Sequence, residues 1–175
     1  FCSTKSESRE LSRKLNETGK YNTIALSGDD SQGMRENAIS RLLSNSKEDA
    51  LDYIFTVDIF NEGVDIPEIN QVIMLRPTES PIIFVQQLGR GLRKAEGKEY
   101  VIVLDFIANY DNNYMIPIAL SGDRTGNKDN IRRSLMEGNN VISGPSTIYF
   151  DEISKKRIYA SIDAAKLNRI QVLKQ

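Results

Sequence analysis

Histidine is absent from this chain of 175 residues. That removes the commonest metal ligand and the usual activator of a serine or cysteine nucleophile, so no metal site is expected. Cysteine occurs once, at Cys2, which excludes an internal disulfide and suits a reducing, cytoplasmic compartment. No apolar run approaches the roughly 18 residues that span a bilayer, and no signal-peptide pattern is visible. A membrane is therefore not expected among its partners. Excess charge is missing too: 23 Lys and Arg stand against 24 Asp and Glu, a formal net charge of -1. A basic footprint covering the whole domain is thereby excluded, and any nucleic-acid contact must be local.

What is present fits a soluble globular chain, with 39% hydrophobic and 27% charged residues. The length suffices for one full core, or for one domain with an appendage. Charge is unevenly spread. Residues 48–68 carry Glu48, Asp49, Asp52, Asp58, Glu62, Asp65 and Glu68 without a Lys or Arg, whereas residues 86–98 carry Arg90, Arg93, Lys94 and Lys98 against Glu96 alone.

Phe1-Cys2 reads as the end of an apolar strand whose beginning is missing, and no initiator Met precedes it. The chain is expected to be a piece of a longer protein. Thr4-x-x-Glu7 is a capping box that opens a helix, with Leu11 and Leu15 as its apolar stripe and Gly19 just past its end. Residues 21–26 alternate as a strand and lead into the turn Ser27-Gly28-Asp29-Asp30. Asp30 or Ser31 can cap a second helix that places Met34, Ala38 and Leu42 on one face. Residues 51–57, 71–75 and 100–106 are short apolar runs of the kind found in buried parallel strands. Pro81 suits the first turn of a helix that continues to Arg93.

This alternation predicts an α/β fold, a mainly parallel sheet with helices on both faces. Ligand groups in such sheets gather at the carboxyl ends of the strands. Residues 109–114 and 122–127 are polar and turn-rich. A helix is expected over 129–137, a short strand over 147–150, and a helix over 151–173 with Ile158, Ile162 and Ala165 on its buried face. The chain thus divides into a lobe, residues 1–106, and a mostly helical extension or linker, residues 107–175.

Arg90 and Arg93 lie three residues apart after Gly89, so on a helix both guanidiniums share one face. A guanidinium is a planar, always-charged fork suited to phosphate oxygens. Taken alone, such a string also describes a solvated helix end with Leu88 and Leu92 packed inward. Here it forms Gln86-x-x-Gly89-Arg90-x-x-Arg93, which resembles motif VI of superfamily 2 helicases of the DEAD/DEAH type. Asn61-Glu62-Gly63-Val64-Asp65-Ile66-Pro67 resembles motif V, and Phe1-Cys2-Ser3-Thr4-Lys5 looks like motif IV. The three stand in the family's order and spacing. Arg76-Pro77-Thr78-Glu79-Ser80, running on to Gln86-Gln87, is similar to the type III restriction and excision-repair grouping.

The resemblance implies the second, C-terminal RecA-like lobe of such a helicase. Arg90 and Arg93 would reach the β- and γ-phosphates of ATP held between two lobes, with Arg93 ahead of Arg90 as the finger. Gly63, Asp65, Gln86 and Gly89 would belong to the ATP side, Asp65 accepting from a ribose hydroxyl and Gln86 linking ATP to nucleic acid. Ser3, Thr4, Lys5, Ser27, Gly28, Thr56 and Asn61 would meet the nucleic-acid backbone. One departure concerns Thr56. Many relatives place the phosphate-contacting Thr six residues before the motif V glycine, a position held here by Val57. A shift of one residue turns a strand side chain to the other face.

No G-x-x-x-x-G-K-[ST] phosphate loop and no D-E-x-D/H motif occur. The lobe that binds ATP with Mg²⁺ is therefore missing, and this chain alone is expected not to hydrolyse ATP. The implied whole is a helicase or translocase acting on DNA rather than RNA. The rival is a catalytically inactive helicase-like scaffold or nucleic-acid-binding module. The paired arginines count against it, since an inactive lobe has no need of them.

Overall fold

The computed structural model describes residues 1–46, 48–57, 66–76, 89, 93–106, 114–121, 125–137 and 147–165. Its contacts divide the chain into two compact units. One holds Phe1–Arg76 and Gln87–Asp105, the other Pro77–Gln86 and Phe106–Gln175.

The first unit is built on parallel strands. β1 (Thr23–Ser27) pairs with β2 (Tyr53–Val57), and β3 (Gln71–Met74) pairs with β4 (Ile102–Asp105). The two pairs are joined by Phe1 and Cys2. The Phe1 nitrogen donates to the Ile73 carbonyl at 2.7 Å, and the Phe1 carbonyl accepts from Leu75 N at 2.9 Å. That is the slanted bonding of a parallel rung centred on Met74. On the other side, Cys2 N donates to the Thr56 carbonyl at 2.8 Å. The strand order is therefore β1, β2, Phe1–Cys2, β3, β4, and Cys2 is buried at 1% exposure. The expectation that Phe1-Cys2 is strand is borne out by these bonds.

Helices α1 (Lys5–Glu17) and α2 (Gln32–Leu42) cover opposite faces. Successive strand side chains point to opposite sides of a sheet. Thr23 meets α1, its hydroxyl 2.9 Å from that of Ser12. Ile24 and Leu26 face the other way and pack with Ala38 and Leu42 of α2, Leu51 and Ile54. The expected α/β fold with helices on both faces is present.

Two details of these helices differ from expectation. The face of α1 turned to the sheet is made by Ser8 and Ser12, both buried, while Leu11 and Leu15 are half-buried at its margins. Asn16 replaces a missing strand neighbour there: its side chain accepts from Thr23 N at 2.7 Å and donates to the Thr23 carbonyl at 2.9 Å. On α2, Ala38 is buried as expected and Leu42 packs on the core, but Met34 is 49% exposed. It sits in the first turn, before the helix reaches the sheet.

The second unit contains α3 (Met115–Ser121), α4 (Lys128–Glu137) and α5 (Glu152–Ala164). Ile116, Ile118, Ile131, Leu135, Ile158 and Ile162 are buried in it. Lys128 Nζ donates to the Asp163 carbonyl and Arg132 pairs with Asp163, so the start of α4 lies beside the end of α5. The α3 helix lies between the two polar, turn-rich stretches and was not expected. Pro117 is tolerated because it occupies the first turn, where no intrahelical N–H bond is lost. Residues 147–150 are not a strand; among the described residues they have no partner to complete a ladder. Of the helix expected over 151–173, residues 166–173 lie outside the described residues. So does most of the one expected from Pro81 to Arg93.

Candidate nucleic-acid and nucleotide interface

At the start of α1, Thr4 is the N-cap, its Oγ1 accepting from Glu7 N at 3.1 Å. The Glu7 carboxylate reaches back to Ser3 N at 2.8 Å, one residue earlier than the usual reciprocal bond of a capping box. Ser8 N is taken by the Thr4 carbonyl. The amides of Lys5 and Ser6 precede the helix's own bonding and have no acceptor within it. Ser3, Thr4 and Lys5 are all exposed.

The turn after β1 comes to the same place. Lys5 Nζ pairs with Asp29 Oδ2 at 2.5 Å, joining the α1 N-terminus to the Ser27–Asp30 turn. That bond, followed by the charge of Lys5, holds the Asp29 carboxyl below the usual carboxylate range. Ser31 is the N-cap of α2. Asp30 instead accepts from Ser27 N at 2.6 Å and from the Ser27 hydroxyl at 3.2 Å, which shapes the turn. Gly28 gives its carbonyl to Arg35 Nη2 at 2.8 Å. Where Gly28 would carry a Cβ, no atom lies within 4 Å, so this flank of the turn is open. Ser3, Thr4, Lys5, Ser27 and Gly28 thus gather around one ion pair at the carboxyl end of the sheet. Thr56 is buried at 3% exposure, and its carbonyl bonds Cys2.

A second cluster forms around Lys98. Its ammonium donates to the Pro67 carbonyl at 2.7 Å and to the Arg93 carbonyl at 2.9 Å. Desolvation lowers its pKa, opposed by the nearby charge of Glu68. The exit of the Asn61–Pro67 motif and the end of the Gly89–Arg93 motif are thereby tied to one side chain. Arg93 is exposed, and the Gly89 flank is open, with no atom within 4 Å of a Cβ built there. Both features fit the approach of a phosphate chain. Sequence reasoning did not single out Lys98, whose only signal was membership of a short basic run. Asn61, Gly63, Asp65, Gln86 and Arg90 lie outside the described residues.

Residues 1–95 match the helicase conserved C-terminal domain. The chain belongs to this family. It is 33% identical over 94 residues to IRC3 of Saccharomyces cerevisiae, an ATP-dependent helicase by name, covering 54% of this chain and 13% of that protein. It is 32% identical over 82 residues to the ATP-dependent DNA helicase MPH1 of Scheffersomyces stipitis, covering 47% and 8%. To the ATP-dependent RNA helicase DeaD of Klebsiella pneumoniae it is 32% identical over 90 residues, covering 51% and 13%. The chain spans about an eighth or less of the length of these relatives. Among solved structures, the ATP-dependent Type ISP restriction-modification enzyme LlaBIII bound to DNA aligns with 93% of this chain and 12% of its own. The TM-score is 0.59 at 20% identity, a likeness of fold. Recognition of a helicase C-terminal lobe from its motifs is borne out.

Proposed function

We propose that this chain is the second motor lobe of an ATP-dependent superfamily 2 DNA helicase or translocase. In the whole protein it would face an N-terminal RecA-like lobe across a cleft that holds ATP and Mg²⁺. Residues 1–106 act as the lobe, and residues 107–175 as a helical extension or a link to a further domain. Its single buried cysteine suits a reducing cytoplasm.

The observation that carries this reading is the family match over the stretch that ends at the arginine motif. Hydrolysis of the terminal phosphoanhydride spreads negative charge over the transferred phosphoryl oxygens, and an arginine from a facing lobe stabilises it by roughly 10³–10⁵ in rate. Arg93, with Arg90, is assigned that role. Gly63, Asp65, Gln86 and Gly89 are assigned to ATP, and Mg²⁺ to the other lobe.

On the nucleic-acid side, Ser3, Thr4 and Lys5 offer hydroxyls, an ammonium and first-turn amides to a backbone phosphate. Gly28 and Asn61 complete the track. Ser27 and Thr56, both buried, would contribute from beneath that surface. Such contacts are independent of base sequence. Opening and closing of the cleft would then move the lobe along DNA.

ATP turnover by this chain alone, beside the polypeptide that also carries the N-terminal lobe, tests the reading. The isolated chain is expected to turn over no ATP and the two-lobe protein to do so faster with DNA. Turnover by the isolated chain would contradict the assignment of the ATP-Mg²⁺ site to another lobe. The absence of DNA-stimulated turnover in the two-lobe protein would favour the inactive scaffold.

A further inference from the structure

The Lys5–Asp29 pair has a consequence for how the lobe holds and releases its track. Lys5 is a proposed phosphate contact, yet its ammonium is occupied by a carboxylate 24 residues away at 2.5 Å. The two side chains are 46% and 71% exposed. Arg9 adds a weaker attraction on Asp29. The carboxylate oxygen therefore sits where an incoming phosphate oxygen would be gripped, beside the uncommitted first-turn amides of Lys5 and Ser6. Asp29 belongs to a turn whose shape does not depend on its side chain: Asp30 binds Ser27, and Arg35 binds the Gly28 carbonyl. Among the described residues, the side-chain partner of Asp29 is Lys5.

We propose that Asp29 is a built-in competitor for the nucleic-acid phosphate, the Lys5 ammonium exchanging between the Asp29 carboxylate and a backbone phosphodiester. The inference rests on the assignment of Lys5 to the phosphate contact. Exposed ion pairs are weak and screened by salt, so exchange is easy in both directions. A lobe that must repeatedly grip and release gains from this, because the competitor lowers affinity without removing a contact. Asp29 is thus a positioning residue acting through Lys5.

The test is equilibrium binding of a fluorescent single-stranded oligothymidylate by the full-length polypeptide across a salt series. Wild type, Asp29→Asn, Lys5→Ala and the double variant are compared, with the melting temperature of each. Asp29→Asn is expected to melt like wild type and to bind about two- to five-fold more tightly at low salt, the range an exposed pair supplies. The gain should shrink as salt rises. Lys5→Ala should bind more weakly, with its salt slope reduced by about 0.7, and the double variant should match it. A gain that persists in the Lys5→Ala background would overturn the proposal, because Asp29 would then merely repel DNA. Unchanged or weaker binding by Asp29→Asn, while Lys5→Ala still loses affinity, would overturn it and leave the Lys5 contact standing. Full binding by Lys5→Ala would remove the contact itself and the competition with it.

Discussion

The Lys98 ammonium donates to the Pro67 carbonyl at 2.7 Å, across 31 residues of chain. The same nitrogen reaches the carbonyl of Arg93 at 2.9 Å, so a single side chain spaces the backbone of the proposed finger from the exit of the Asn61–Pro67 motif. Replacement by Met keeps the stem and deletes both bonds. Lys98→Met in the two-lobe protein is expected to lower kcat about tenfold or more, since small misplacements of reacting groups are costly. DNA affinity should be unchanged, and Lys98→Arg, which still donates, should retain more activity. An unchanged kcat in Lys98→Met would contradict this positioning role.

The place of Cys2 between β2 and β3 makes its thiol a reporter of the whole sheet. It is 1% exposed, and burial pushes the thiol above its ordinary pKa, so little reactive thiolate forms near neutral pH. Labelling by an aromatic disulfide is expected to be slow in buffer and to accelerate in step with unfolding in urea. Rapid labelling of the folded protein would show that the Phe1–Cys2 rung opens on its own.

Leu26 is buried at 1% between α2 and the sheet, whereas Met34 on the same helix is 49% exposed. Leu26→Ala is therefore expected to cost about 2–5 kcal/mol in urea unfolding. Met34→Ala should stay within about 0.5 kcal/mol. Equal losses would mean that the first turn of α2 packs as its periodicity suggests.

Ile158 and Ile162 are fully buried in the second unit, with α4 beside them. Ile158→Ala is expected to cost about 2–5 kcal/mol, read from the urea unfolding of α-helical signal. A negligible change would contradict the packing of α5 on its neighbours.

Much of the fold was legible because its signals are local. The Thr4 cap, the left-handed Gly19 at φ 67° past the end of α1, and the apolar strand runs each declare themselves within a few residues. The serine face of α1 was not legible. Ser8 and Ser12 are polar by type, and what buries them is a partner elsewhere: Ser12 meets Thr23, while Ser8 returns its hydroxyl to the Lys5 carbonyl. The α3 helix was hidden by its polar flanks and Pro117. The reverse error occurred at residues 147–150, expected to be a short strand, which have no ladder to join among the described residues. The site followed the same rule. Residues of contiguous motifs could be named from sequence, but the Lys5–Asp29 and Lys98–Pro67 bonds join residues 24 and 31 apart, a distance no periodicity encodes.

In the proposed function, this lobe completes an ATP site with an arginine. Its most direct test is DNA-stimulated ATP hydrolysis by the two-lobe polypeptide and its Arg93→Ala variant, at saturating ATP and DNA. The expected result is a fall in kcat of about 10³-fold or more, with DNA binding retained. Turnover indifferent to Arg93→Ala would contradict it.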